Sequence, residues 1–281
     1  MRRLAEYTMS GRRQAVIAAV LLGLLPVLNL LSASIVALVA LRKGWQEGLL
    51  VMLWALLPAG LQWLAGDTTA VVVLLAIVPL ACLLRVAQRW SAVVVGAVVL
   101  GGVLQLSLSI QTGYVARVTA LMEQMLAQGM NFQLPQDGVM TSATAEQMVQ
   151  LFLSFYGAYH ALVMIGVLMV ARFYQAMLYN PGGFRVEFQA LRLDTRVMLV
   201  CLALVVGGLA GVQVLEDWVT LLCLAPILTS LAIVHSLAAR QKAGGSWLTL
   251  AYLMLIFMAP AMVILGFADS VIDFRKRFSA K

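Results

Sequence analysis

The sequence predicts an all-α fold, a polytopic transmembrane helix bundle of about eight apolar segments forming one domain over residues 1–281. Three observations predict it. First, 63% of the residues are apolar, and 19 basic plus 12 acidic side chains are the whole charged complement. A soluble domain of this length carries about 70 charges. Second, the apolar stretches run on without alternating, and in lipid a helix is the structure that satisfies its own backbone. Third, five of the six tryptophans (Trp45, Trp63, Trp90, Trp218 and Trp247) sit near the ends of those stretches, as an interfacial belt requires. The lipid bilayer is therefore the first expected partner. A soluble enzyme, a disordered chain, a disulfide scaffold and a nucleic-acid-binding domain are all excluded. The net charge of +7 is read as loop charge at a membrane and not as a nucleic-acid footprint.

Charges and turn residues cut the chain into apolar segments at 14–41, 46–65, 69–84, 91–110, 149–171, 197–215, 218–238 and 247–268. The first would span about 42 Å as one straight helix, well beyond a hydrocarbon layer of about 30 Å. Pro26, with Asn29 just after it, predicts a break there and a hairpin. That hairpin returns Arg2, Arg3, Arg12 and Arg13 to the side where the chain's other basic residues collect. Loop charges then alternate. Arg42, Lys43, Arg85, Arg89, Arg172, Arg185, Arg192, Arg196, Arg240 and Lys242 fall on one side. Asp67, Glu216, Asp217 and the 111–148 loop, with Arg117 as its one basic residue, fall on the other. The positive-inside rule makes the first side cytoplasmic. The last segment also holds a proline, Pro260. The side on which its tail emerges, with Arg275, Lys276 and Arg277, stays open.

Two connections are more than loops. The outward-facing 111–148 loop carries Tyr114, Val118, Leu121, Met122, Met125 and Leu126 on one helical stripe. This predicts an amphipathic helix that lies on the membrane or caps a cavity, if it is not a plain connector. The 172–196 loop, expected in the cytoplasm, turns at Asn180-Pro181-Gly182-Gly183 and runs into a short interfacial helix. Phe184, Phe188 and Leu191 form one face of it, and Arg185, Gln189 and Arg192 the other. Such a helix anchors to anionic lipid or docks a partner.

No Asp, Glu, Lys or Arg sits in the middle of an apolar segment, which argues against an ion-driven antiporter. The one central ionisable group is His160, within the run Phe155-Tyr156-Gly157-Ala158-Tyr159-His160. Tyr156, Tyr159 and His160 could anchor a ligand. Alternatively, His160 is a neutral histidine bonded to a neighbouring backbone. Asn29 either lines a cavity or bonds the backbone groups freed at Pro26. His235 reads as interfacial. The small-residue stripes Ala15-Ala19-Gly23 and Ala203-Gly207-Gly211 serve helix packing or a partner contact. Seven methionines between Met122 and Met169 are scattered as apolar filling, not as a copper path. Cys82, Cys201 and Cys223 make no CxxC pair. There is no phosphate loop, HExxH or GxSxG. No metal, no cofactor and no enzymatic activity are expected.

The run GRRQAV near the start, the ALRKG that follows it, the turn NPGGF leading into RVEFQALRL, and the terminal DSVIDFRKRF resemble the YybS-like family of bacterial membrane proteins across residues 9–278. The resemblance implies a place in the bacterial cytoplasmic (inner) membrane. It also implies a distant similarity to the substrate-binding S components of energy-coupling-factor transporters. Those have six segments. Alanine stripes in them contact a transmembrane coupling protein, and ATPase subunits drive uptake. Ala15-Ala19-Gly23 is similar to such a stripe. The expected function is a binding or transport component for an unknown small molecule, driven by partner subunits. The alternative is a scaffold or assembly factor working through its 180–196 helix and basic tail.

Overall fold

In a computed structural model of the chain, residues 2–130, 133–136, 139–241 and 245–277 are described. The fold is an all-α bundle. Among the described residues, six helical stretches are long and apolar enough to cross a membrane: Pro26–Lys43, Trp45–Leu64, Thr69–Ala87, Trp90–Ser107, Ala145–Tyr179 and Val219–Arg240. The chain thus has the build of a multi-pass membrane protein.

The expected break at Pro26 is present. Helices α1 (Arg2–Met9) and α2 (Arg12–Gly23) lead to a 3-10 turn at Pro26–Leu28, after which α3 (Asn29–Lys43) returns. Next, α4 (Trp45–Leu64) runs alongside α2 in the same direction. Arg12 Nε donates to Glu47 Oε2 at 2.9 Å at one end, and Gln62 Nε2 donates to the Gly23 carbonyl at 2.7 Å near the other. The hairpin tip therefore lies level with the far end of α4. Helix α3 is enclosed nearly all round by α2, α4, α5 (Thr69–Ala87) and α9 (Tyr156–Tyr179). Its residues Ile35, Val36, Ala37 and Leu38 are each 0% exposed. That surround explains why its sequence shows no polar face. Its two buried serines bond backbone oxygens: Ser32 Oγ to Ala19 at 2.7 Å, and Ser34 Oγ to Leu30 at 2.9 Å and Val167 at 3.2 Å.

After α6 (Trp90–Ser107), the far end carries α7 (Thr112–Ala127), an antiparallel pair of four-residue strands, β1 (Gln133–Gln136) and β2 (Val139–Ser142), and α8 (Ala145–Ser154). The amphipathic helix expected in this connection is α7. It packs on α8 through a small core of Val118, Met122, Ala143 and Met148, with Tyr114, Met125 and Leu126 against it. Leu121 departs from the expected stripe and faces outward.

Three boundaries differ from the sequence reading. The segment expected at 149–171 divides at Phe155 into α8 and α9, and α9 continues to Tyr179, so 172–179 is helix and not loop. The reason is pairing. Arg172 Nε donates to Glu187 Oε2 at 2.9 Å on α10 (Gly183–Gln189), which neutralises the charge that otherwise marks a helix end. The segment at 197–215 divides into α11 (Thr195–Leu209) and α12 (Gln213–Glu216) around Gly211 at φ +89°. The last segment divides at Met258. It follows α13 (Val219–Arg240) as α14 (Gly245–Phe257) and α15 (Ala259–Ile272), with Pro260 in the first turn of α15.

Helix α15 and the short α16 (Phe274–Arg277) come back to the basic end of the bundle. There Arg192 Nη1 donates to Asp273 Oδ2 at 2.6 Å, and Arg275 Nη2 to Asp269 Oδ2 at 3.0 Å. Arg275 also caps the Gln189 and Leu191 carbonyls, each at 2.7 Å. The side left open by the sequence is thus the same end that holds Arg12, Arg42, Arg85 and Arg172.

Candidate functional site

The far end of the bundle holds a cavity of about 370 Å³, lined by residues of three regions. The turn between α4 and α5 supplies Gly66, Asp67, Thr68 and Thr69. Helix α7 supplies Tyr114. The α8–α9 junction supplies Phe152, Phe155, Tyr156, Tyr159 and His160. Its volume is that of an ordinary small-ligand site.

Backbone chemistry at the junction sets the aromatic run in place. A helix that stops at Phe155 leaves backbone groups to satisfy. Gln105 of α6 takes two of them: its Nε2 donates to the Leu153 carbonyl at 3.0 Å, and its Oε1 accepts from the Gly157 N–H at 2.9 Å. Gly157 also lies against Gly101 of α6. A Cβ on Gly157 would meet the Gly101 carbonyl oxygen at 2.4 Å, and one on Gly101 would meet the Gly157 oxygen at 2.6 Å. Only glycine on both sides permits that crossing. Tyr156 and His160, either side of the crossing, are held accordingly.

His160 is 2% exposed, and its Nδ1 lies 2.9 Å from the Tyr156 carbonyl oxygen. A carbonyl only accepts, so Nδ1 carries the proton and Nε2 of the neutral ring is an acceptor. Among the described residues that Nε2 has no partner. A buried acceptor left open costs free energy unless something fills it. Around it, Tyr156 lies 4.5 Å from the imidazole, centroid to centroid, and Tyr159 meets it edge-on at 5.2 Å. Tyr114 stands 5.3 Å from Tyr156. Burial pushes the Tyr114 hydroxyl above the ordinary phenol range, so it stays protonated. Asp67 is the one charged residue in the lining; its Oδ1 accepts from the Thr69 N–H at 2.9 Å.

The structure thus brings three of the sequence-derived candidates together: Tyr156, Tyr159 and His160. His160 is bonded to its own turn, not to a neighbouring helix, and sits one turn into α9, not at mid-segment. Asn29 is elsewhere. Its Nδ2 donates to Gln62 Oε1 at 2.9 Å, and Gln62 in turn holds the Gly23 carbonyl, so it serves the break at Pro26.

The expected contact surfaces are also relocated. Ala15 and Ala19 are buried at 1% and 0% exposure, and a Cβ on Gly23 would meet Pro58 Cγ at 2.8 Å. That stripe packs the chain's own α2 against α3 and α4 and presents no face to a partner. On α10, Phe184 lies edge-on to Trp90 at 5.9 Å, and Phe188 edge-on to His235 at 5.2 Å. Arg192 is tied to α15 and Asp273. Of the four residues expected to touch a partner or lipid there, Arg185 alone is exposed.

Sequence reasoning missed Gly66, Asp67, Thr68, Thr69 and Phe152 as lining, and Gln105 as the residue that seats the junction. Gln105 carried a signal, since it is a long polar amide within an otherwise apolar segment. Comparison with protein-family profiles, curated proteins and solved structures returned no match to this chain.

Proposed function

We propose that this chain is a membrane-embedded component that binds a small molecule in the cavity around His160. The observation that carries the reading is a ligand-sized cavity walled by Tyr114, Tyr156, Tyr159 and the buried His160. By the positive-inside rule the basic end lies in the cytoplasm, and the cavity then opens on the outer side of a bacterial cytoplasmic membrane. The role is one of binding and not of catalysis. The likeness to the YybS-like family and to S components is consistent with this.

We propose further that uptake, where it occurs, is driven by partner subunits, because the sequence carries no phosphate loop of its own. A coupling protein would need a surface other than Ala15-Ala19-Gly23, which is packed inside. The scaffold reading is less well supported, because the apolar face of α10 is already occupied by Trp90 and His235.

Native mass spectrometry of the protein, extracted gently from its own membrane, tests the binding role. A reproducible small-molecule mass on the wild type, lost in a folded His160→Ala variant, is expected. Only lipids on the wild type, or an unchanged mass on His160→Ala, overturns the assignment. An ATPase held in fixed ratio would support the driven-transport part.

A further inference from the structure

We infer that the ligand of this cavity is a small protonated amine, an ammonium with at least one N–H on a short hydrocarbon body. The inference rests on the binding role proposed above and narrows it to one chemical class.

Three features of the lining converge on that class. The first is charge. In a chain of net charge +7, no lysine or arginine among the described residues lines the cavity and one carboxylate, Asp67, does. Its Oδ1 is held by the Thr69 N–H, which leaves the second oxygen, among the described residues, for a ligand. Arg117 lies one turn along α7 from Tyr114 and is not part of the lining. An anion would meet the Asp67 carboxylate within the lining, while Arg117 stands outside it.

The second feature is the wall. Half of the ten lining residues are phenylalanine or tyrosine (Tyr114, Phe152, Phe155, Tyr156 and Tyr159), in a chain where such rings and tryptophan together make up 8%. Aromatic faces attract a cation and accept its hydrocarbon part.

The third is the acceptor. The open oxygen of Asp67 takes an N–H or O–H. A quaternary ammonium satisfies the rings but donates no hydrogen bond to the carboxylate. A neutral alcohol donates one but brings no charge. A protonated amine with an N–H meets the charge, the rings and the acceptor together, and its bond to a carboxylate is the stronger, charge-assisted kind.

The test is isothermal titration calorimetry of the whole protein in detergent with three probes of one shape: 2-phenylethylammonium, its N,N,N-trimethyl analogue and 2-phenylethanol. The wild type is expected to bind the ammonium roughly tenfold or more tightly than either of the others. Asp67→Asn keeps an oxygen for the Thr69 N–H, sits in an exposed turn and should fold normally. It is expected to lose roughly tenfold in affinity for the ammonium and to leave the alcohol unchanged. Equal binding of the alcohol, equal binding of the trimethyl analogue, or an Asp67→Asn variant that binds the ammonium as tightly as the wild type each overturns the amine assignment. No heat from any probe also overturns it. In all these cases a His160-dependent mass retained on the native protein would still stand for the binding role, so the two failures are told apart.

Discussion

Gly157→Ala perturbs the contact that seats the aromatic run. The added Cβ would lie 2.4 Å from the Gly101 carbonyl oxygen, where ordinary contact begins near 3.4 Å. The obstacle is backbone and not a flexible side chain, so α6 and α9 must separate by about 1 Å along much of their crossing. Overpacking of this kind costs about 3 kcal/mol at the upper end of its range. Alanine returns about 1 kcal/mol through its better helix propensity. The net loss is about 2 kcal/mol, which for a domain of this size lowers Tm by about 4–8 °C. The assay is thermal unfolding in detergent, read by reaction of a thiol dye with Cys201, which is buried in the native fold. Gly166→Ala, on the same helix, meets nothing within 4 Å and is the control. It should be neutral or raise Tm slightly. The same separation moves the Gly157 N–H away from Gln105 and displaces Tyr156 and His160, so ligand retention should fall together with Tm. If Gly157→Ala and Gly166→Ala melt alike, the crossing is not close-packed and the reasoning fails.

Gln105→Leu should leave the Leu153 carbonyl and the Gly157 N–H without partners, costing about 2 kcal/mol, and should weaken ligand retention; denaturation and native mass spectra that both match the wild type would contradict this. Arg275→Met should cost about 3 kcal/mol, because it strands the Asp269 carboxylate, whose residue is 0% exposed. Adding Asp269→Asn should recover part of that loss, and melting curves of the single and double variants decide it. Gly266→Ala should push α15 away from α13, since its Cβ would lie 2.1 Å from the Pro226 carbonyl oxygen. Faster proteolysis of the C-terminal region than in the wild type is the expected readout.

Much of the architecture was legible in the residues. Pro26 marks the break in the over-long first segment because a proline interrupts the helical hydrogen-bond ladder. Pro58, Pro79 and Pro226 sit inside continuous helices, so it is the segment's length together with the proline that made the break legible. The stripe on α7 was legible from local residues too, apart from Leu121. What could not be read depended on partners distant in the chain. The extension of α9 through Arg172 needs Glu187 on another helix, and the return of the tail to the basic end needs Arg192 as donor and the Leu191 carbonyl as acceptor. At the site, the run from Tyr156 to His160 was visible as a polar cluster in an apolar segment. The contribution of Asp67 was not, since nothing local says that the α4–α5 turn lies beside Tyr114 and His160. Asn29 and the alanine stripe looked available to ligand or partner because sequence does not reveal that Gln62 and Pro58 already occupy them.

The enclosure of α3 has a consequence for how the chain is made. Helix α3 emerges from the ribosome early, yet one of its walls is α9, and the bond from Ser34 to Val167 joins residues 133 apart. Until α9 is synthesised, that side of α3 faces lipid or a transient neighbour. The Ser34 hydroxyl tolerates the wait because it also bonds Leu30 within its own turn. The bond from Ser34 therefore does not hold up insertion of the first hairpin, and its last wall closes only when a much later helix arrives. Closing that gap is the long-range step in assembly, and slow folding arises at steps of that kind.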